Sequence, residues 1–230
     1  IFYSQLLFGI VVLCWFWKRQ PETLPPAYKK KFSMAIFISG SKEFLKYRSA
    51  IIFTLISGLA TGSFMVFLST SQHIFEVQYG LVDEFPYIFG ALAFSVGVAT
   101  FTNGTLVVRF GMKKLVTIFS ILFSLTSLLY ISIFYGETNP SIGILVLFLA
   151  LQFFSVGFLF GNVRSLAMQP LGHIAGIGAA INGFVSTIMA VPIATFIGGF
   201  VETTALPLFI GFAACGFGSL LLLLFVKKSA

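Results

Sequence analysis

The stretch that decides the fold of this chain is Asn103-Gly-Thr-Leu-Val-Val-Arg-Phe-Gly-Met-Lys-Lys114, which lies between two long apolar runs. Gly104 and Gly111 allow unusual backbone angles or a close approach of two helices. The basic side chains are Arg109, Lys113 and Lys114. This pattern predicts a tight turn between two membrane helices, with basic residues on the cytoplasmic side. Alternatively, the charges set only the topology of the loop.

The composition is typical of a membrane protein. Hydrophobic residues make up 58% of the chain and charged residues 9%, and the mean hydropathy is +1.02. The apolar residues occur in runs of about twenty, the length of a helix that crosses a bilayer. The sequence therefore predicts an all-α, polytopic membrane protein.

The apolar runs divide the chain into three parts. Residues 1–17 predict one transmembrane helix, anchored by Trp15 and Trp17 and ended by Pro21, Pro25 and Pro26. Because the chain opens inside this run, we expect it to be a piece of a longer protein. Residues 18–49 predict a cytoplasmic connection with an interfacial amphipathic helix, or alternatively a disordered linker. Residues 50–230 predict a six-helix bundle with spans near 50–70, 86–108, 115–135, 142–163, 177–199 and 205–226.

The formal net charge of +7 is divided between the two sides of the predicted membrane. The Lys and Arg residues lie at the ends of the runs on one side of the predicted membrane, and Lys227 and Lys228 are the last of them. The acidic residues on the other side are Glu76, Asp83, Glu84, Glu137 and Glu202. The positive-inside rule then makes the long loop and the C-terminus cytoplasmic. Charges divided in this way do not form a nucleic-acid patch, so no nucleic-acid partner is expected.

No pattern of catalytic or metal-binding residues is present in the sequence. His73 and His173 each lie alone in a predicted loop, and Cys14 and Cys215 lie in apolar runs. There is no phosphate loop, Ser-His-acid set or pair of carboxylates within a span. We therefore expect no enzyme activity, cofactor or metal site.

Polar residues within the spans are the strongest functional signal, because burying them in a membrane is costly. They recur at helical spacing in runs 50–70, 142–163 and 177–199, next to aromatic residues and, in the first run, a Gly58-x-x-x-Gly62 motif. These stripes predict either a substrate cavity or close helix packing. Runs 115–135 and 205–226 are expected to be peripheral and without a site. The candidate cavity-lining residues are Ser57, Thr61, Phe64, Gln152, Phe153, Asn162 and Asn182.

The opening stretch resembles a known transporter signature. Gly104-x-Leu106-x-x-Arg109-Phe110-Gly111-x-Lys113-Lys114 resembles the major facilitator superfamily loop G-x-L-a-D-R-x-G-R-R in its second-half copy. Val108 stands where the signature has Asp, which removes the charge relay used as a gate latch in the first-half loop. The resemblance implies a conformational-gate loop made of Gly104, Arg109, Gly111, Lys113 and Lys114.

A second resemblance concerns the subfamily. The stretch Arg164-Ser-Leu-Ala-Met-Gln-Pro-Leu-Gly-His-Ile-Ala-Gly176, preceded by Gly161-Asn162, resembles the link between helices ten and eleven of the bicyclomycin-resistance and chloramphenicol-efflux (Bcr/CflA) group. Residues 22–26 resemble that group's exit from helix six, and Tyr79-Gly80-Leu81 resembles its outer loop. The resemblance implies that residues 2–17 are helix six and residues 50–226 are helices seven to twelve, the C-terminal portion of the fold.

The resemblance also implies a function, drug:proton antiport by alternating access, with helices seven and ten facing the central cavity. The expected partners are hydrophobic or amphipathic drugs, protons, the lipid bilayer and a missing N-terminal six-helix half. No Asp or Glu lies in the middle of a span, so the proton-coupling acids are expected in that half. The alternatives are an importer of a specific polar solute and a non-transporting membrane fragment.

Overall fold

The computed structural model describes residues 2–22, 33–136 and 138–226. These residues form helices and connecting turns, without a β-strand among them. Five continuous helical segments are long and apolar enough to cross a membrane. The protein is therefore an all-α polytopic membrane protein, as the composition predicts.

The described residues contain eight α-helices, and all but α2 follow the apolar runs closely. A π-helical turn, His73–Gln78, extends α3, and a 3₁₀ turn, Gln169–Ile174, joins α6 to α7. The helices are α1 Phe2–Arg19, α2 Met34–Phe44, α3 Arg48–Gln72, α4 Phe85–Phe110, α5 Met112–Phe134, α6 Ile142–Met168, α7 Ala175–Gly198 and α8 Leu206–Leu224.

One of the five membrane-spanning segments contains two helices. Ile142–Gly198 is 57 residues long, which at about 1.5 Å per residue gives roughly 85 Å, far more than one bilayer crossing. Leu171 lies in the turn within it and has non-helical angles, φ −106° and ψ 16°. The chain kinks at this residue, so α6 and α7 account for two crossings, and α3 to α8 cover the six predicted runs.

The chain forms two compact units, residues 1–36 and residues 37–230. In the first unit, α1 is an 18-residue helix whose side chains are all exposed, and Trp15 and Trp17 lie near its C-terminal end. It is not among the five segments that satisfy both the length and the hydropathy of a span. A membrane crossing at residues 1–17 therefore stays a prediction. The helix-ending role of Pro25 and Pro26 lies outside the described residues, as does the tail at Lys227 and Lys228.

Helix α2 is the helix expected within the connection 18–49. In the second unit, Phe44 at its end is only 4% exposed and packs with Ala50 and Leu171. Gly40 lies against Ile177 of α7, where an added Cβ would clash. The end of α2 thus docks on protein, while Phe37 and Ile38 remain exposed. Phe44 thus packs on the turn between α6 and α7, and an interfacial position for the rest of α2 stays a prediction.

The packing of α3 to α8 has an approximate internal symmetry. Helix α3 contacts α6, α7 and α8, while α6 contacts α3, α4 and α5, and α5 also contacts α8. Apart from a contact between the consecutive helices α6 and α7, the pattern is unchanged when the triplet α3, α4 and α5 is exchanged for the triplet α6, α7 and α8. Helix α3 begins at the end of the bundle that carries its Lys and Arg residues, the basic end. Helix α6 begins at the opposite end, which carries most of the Asp and Glu residues and is the acidic end. The two triplets therefore run in opposite directions. This is the arrangement of an inverted-topology repeat.

Candidate functional site

The seam between α3 and α7 is held by two buried polar pairs. Asn182 Nδ2 donates to Thr54 Oγ1 at 2.9 Å, and Ser186 Oγ donates to Ser57 Oγ at 3.2 Å. All four side chains are at most 5% exposed. Ser57 and Asn182, both predicted to line a cavity, thus join two helices in this conformation.

The glycines of the predicted Gly58-x-x-x-Gly62 motif lie in the same seam. An added Cβ at Gly58 would lie 2.6 Å from Met189 Sδ, and one at Gly62 would lie 2.9 Å from Ile193 Cδ1. The absence of side chains at these positions lets α7 pack directly on the α3 backbone. The motif therefore serves close helix packing here.

The seam between α4 and α6 is the counterpart under the internal symmetry. Asn162 Nδ2 donates to Asn103 Oδ1 at 2.6 Å and to the Phe158 carbonyl at 2.9 Å. Ser95 Oγ donates to the Ala150 carbonyl at 2.8 Å. Each central helix, α3 or α6, is thus hydrogen-bonded through its polar stripe to the middle helix of the other triplet.

Gln152 lies in the core between α5 and α6. Its side chain is 0% exposed, and its Nε2 donates to Ser127 Oγ at 2.6 Å and to the Phe123 carbonyl at 3.2 Å. Its Oε1 has no hydrogen-bond partner. Gln152 therefore faces α5 in this conformation, and the geometry favours a packing role over the predicted lining of a cavity.

An aromatic cluster at the junction of α3 and α6 includes two of the predicted residues. The Phe64 ring makes edge contacts with Phe153 and Phe160, with centroids 5.6 Å and 5.5 Å apart. Phe153 is buried, but Phe64 and Phe160 are partly exposed. Thr61, one turn before Phe64, is also partly exposed, and its Oγ1 has no partner. Of the seven predicted cavity residues, Thr61 and Phe64 are partly exposed, although the Oγ1 atom of Thr61 is itself buried; the other five are buried.

The predicted gate loop is shorter than the sequence suggests. Gly111 alone separates α4 from α5, with φ 79° and ψ 151°. Arg109 lies in the last turn of α4, while Lys113 and Lys114 lie in the first turn of α5. The Phe110 ring lies 5.4 Å from the Arg109 guanidinium and 5.2 Å from the Lys114 ammonium, within cation–π range.

Gly104 is not part of this turn. It lies within α4, and a Cβ built on it has no heavy atom within 4 Å. The prediction that Gly104 helps to form the turn is wrong, because residues 105–110 continue the helix and Gly111 alone reverses the chain.

Helix α5 contributes polar residues that the sequence interpretation missed. Ser120, Ser124 and Ser127 are buried on one face, while the opposite face of α5 exposes apolar residues. The expectation of a peripheral helix thus describes only half of α5. The spacing of these serines at three and four residues, the same signal used for the other spans, could have identified this face.

The described residues contain no group of three or more His, Cys, Asp or Glu side chains placed to hold a metal ion. His73 lies in the π-helical turn with its Nε2 2.8 Å from the Glu202 carbonyl, and His173 lies in the turn after α6. At the same acidic end as His73, Tyr79 Oη donates to the Pro140 carbonyl at 2.8 Å. These contacts connect the turns at the ends of the helices.

Comparison with known proteins gives one informative similarity. The chain is 24% identical over 214 residues, 90% of its length, to the uncharacterized MFS-type transporter YdgK of Bacillus subtilis (strain 168). It spans about half (51%) of the length of that relative. No family model and no solved structure matches the chain. The similarity supports membership of the major facilitator superfamily and a role in transport.

Proposed function

We propose that this chain is the C-terminal half of a multidrug transporter of the Bcr/CflA type, which exports drugs in exchange for protons. The observation that carries the proposal is the similarity to an MFS-type transporter along almost the whole chain. The inverted triplets of α3 to α8 support it, because major facilitator halves contain such repeats. In this proposal α1 is helix six, and α3 to α8 are helices seven to twelve.

The partly exposed face of α3 and α6 is the proposed drug-binding surface of this half. Phe64 and Phe160 are partly exposed and offer aromatic area to an apolar drug. A surface with few polar groups suits amphipathic compounds better than a highly polar solute. The buried pairs of the two seams would hold the two triplets together while the whole half moves against its partner half.

Proton coupling requires a group that titrates within the membrane. In the described spans, acidic side chains occur only near the acidic end, such as Glu76 in the turn after α3. The proposed mechanism therefore assigns proton coupling to the N-terminal six-helix half. The protein would lie in the bacterial inner membrane with its basic end in the cytoplasm.

The proposal is tested with the chain joined to its N-terminal half in an efflux-deficient bacterial strain. We expect reduced accumulation of several amphipathic drugs, and loss of this effect when the proton gradient is dissipated. Phe64→Ala should change the relative efflux of different drugs, whereas Phe217→Ala, on an exposed position of α8, should not. If the protein is expressed normally but every drug accumulates as much as in the strain without the transporter, the efflux function is rejected.

A further inference from the structure

A pocket of about 500 Å³ opens at the basic end of the bundle, away from the proposed drug surface. It lies between the start of α3, the start of α5, the end of α6 and the residues that follow α8. Its walls are of two kinds. Lys46, Arg48 and Lys113 form a cationic side, and Phe53, Leu166 and Val226 form an apolar side.

The cationic side attracts an anion. The described residues that line the pocket include no Asp or Glu. Lys46 forms an exposed 2.7 Å ion pair with Glu43, and the hydrogen bond from Lys46 holds the pKa of Glu43 below its usual value. Arg48 is exposed and has no carboxylate within ion-pair distance among the described residues. The first turns of α3 and α5 add the partial positive charge of helix N-termini.

The apolar side indicates that the anion carries a hydrophobic part. Phe53 and Leu166 are at most 8% exposed, so they form a firm wall. A second groove of about 730 Å³ shares Lys113 and Leu166 with the pocket and continues along α5 to the exposed Ile118. A free phosphate would gain nothing from these walls, whereas an acyl chain would bury apolar surface against them.

We propose that this pocket binds one anionic phospholipid, with its phosphate between Arg48 and Lys113 and an acyl chain along the Leu166 wall. The location fits, because the ends of membrane helices lie at the depth of lipid headgroups. Bound in this way, the lipid bridges the starts of α3 and α5, which belong to one triplet, and the end of α6, which belongs to the other. The site recognises a lipid of the cytoplasmic leaflet and is separate from the drug surface.

The direct test is lipid binding by the purified protein, measured by native mass spectrometry. The protein is titrated with dioleoyl phosphatidylglycerol and with dioleoyl phosphatidylcholine, which differ in headgroup charge but not in acyl chains. We expect one equivalent of phosphatidylglycerol to bind about 25-fold more tightly, since Arg48 and Lys113 each contribute about fivefold. Equal affinity for the two lipids would overturn the proposal without any variant.

Variants locate the site. R48Q/K113Q should bring the two affinities to within about twofold. The matched control K42Q/R164Q removes the same charge from exposed residues outside the pocket and should keep the preference. If the control loses the preference equally, the attraction is a diffuse surface effect and the pocket is not the site.

The acyl-chain part is tested by filling the pocket without changing its charge. Val226→Trp should weaken phosphatidylglycerol binding, whereas Leu125→Trp, on the exposed face of α5, should not. Competition with inorganic phosphate shows whether the bound anion is a lipid headgroup or a free phosphate ion. Displacement of the lipid by millimolar phosphate, together with full binding by Val226→Trp, would make this a free-anion site and overturn the lipid assignment.

Discussion

Asn182 in α7 donates a hydrogen bond to Thr54 in α3 at 2.9 Å, and both side chains are buried. One turn further along, Ser186 and Ser57 form the second polar pair of the same seam. Hydrogen bonds between membrane helices contribute about 0.6 kcal/mol on average and up to about 1.7 kcal/mol. Two pairs in succession also fix the register of α7 on α3, because a shift of either helix would leave several polar groups unpaired.

Asn182→Leu should destabilise the protein by about 1–2 kcal/mol, because it leaves the Thr54 hydroxyl unpaired in the seam. Thermal unfolding in detergent, followed by fluorescence-detected size exclusion, should show a Tm lower by about 2–6 °C. The control is Thr187→Val on the exposed side of the same helix, which should change the free energy of unfolding by less than about 0.5 kcal/mol. Equal Tm values for Asn182→Leu and the unmodified protein would show that the seam does not depend on this pair.

Gly157→Ala should separate α4 from α6. An added Cβ at Gly157 would lie 2.6 Å from Ala99 Cβ and 2.9 Å from the Val96 carbonyl oxygen, neither of which can rotate away. Overpacking of this kind costs about 1–3 kcal/mol. Gly161→Ala is the matched control one turn along, because nothing lies within 4 Å of its added Cβ. The same unfolding measurement should show a lower Tm for Gly157→Ala only; a neutral Gly157→Ala would mean that the two helices are further apart.

The positions of the helices could be predicted from the sequence, since apolar runs of span length give a strong signal. The polar residues at helical spacing, such as Thr54, Ser57 and Asn182, are also visible as stripes. The partner of each stripe could not be predicted. A membrane helix such as α6 is apolar on all sides, so its hydrophobic pattern does not show which face meets lipid and which meets protein.

Gln152 illustrates this limit. A Gln in the middle of a span indicates a polar partner or a cavity, and the sequence does not distinguish between them. The partner is Ser127 on α5, a helix that was expected from the sequence to be peripheral. The inverted repeat was equally hidden, because it exists in the packing of the helices and has no visible counterpart in the sequence.

Gly111→Ala should strain the turn between α4 and α5. At φ 79° and ψ 151° the backbone lies in a region that is almost restricted to glycine, and placing another residue there costs about 1–3 kcal/mol. Gly104→Ala should instead stabilise α4 by about 0.5–1 kcal/mol, because Gly104 is an open position within the helix. Thermal unfolding should therefore move in opposite directions for the two variants.

The same pair of variants tests the gate. In the transport assay, Gly111→Ala should slow efflux while drug binding is retained, and Gly104→Ala should leave efflux unchanged. Slow efflux from Gly104→Ala with normal efflux from Gly111→Ala would instead place the gate at Gly104 and contradict a role for the turn at Gly111.

Gln152→Leu tests whether this residue serves packing or substrate binding. The sequence predicts that this change alters the range of exported drugs at normal expression. The structure predicts a different result, because the Gln152 amide is wholly buried and donates to Ser127 and to the Phe123 carbonyl. Gln152→Leu should lower the free energy of unfolding by about 1–3 kcal/mol and leave the relative efflux of different drugs unchanged.

A double variant separates the two roles of Gln152. Gln152→Leu combined with Ser127→Ala removes both side chains of this hydrogen bond, so neither is left without the other. We expect the double variant to cost less than the sum of the two single changes, a coupling of about 0.5–2 kcal/mol that thermal or denaturant unfolding can measure. If the losses in free energy of unfolding of the two single variants instead simply add, and the range of exported drugs changes, Gln152 lines the substrate cavity in a conformation other than this one.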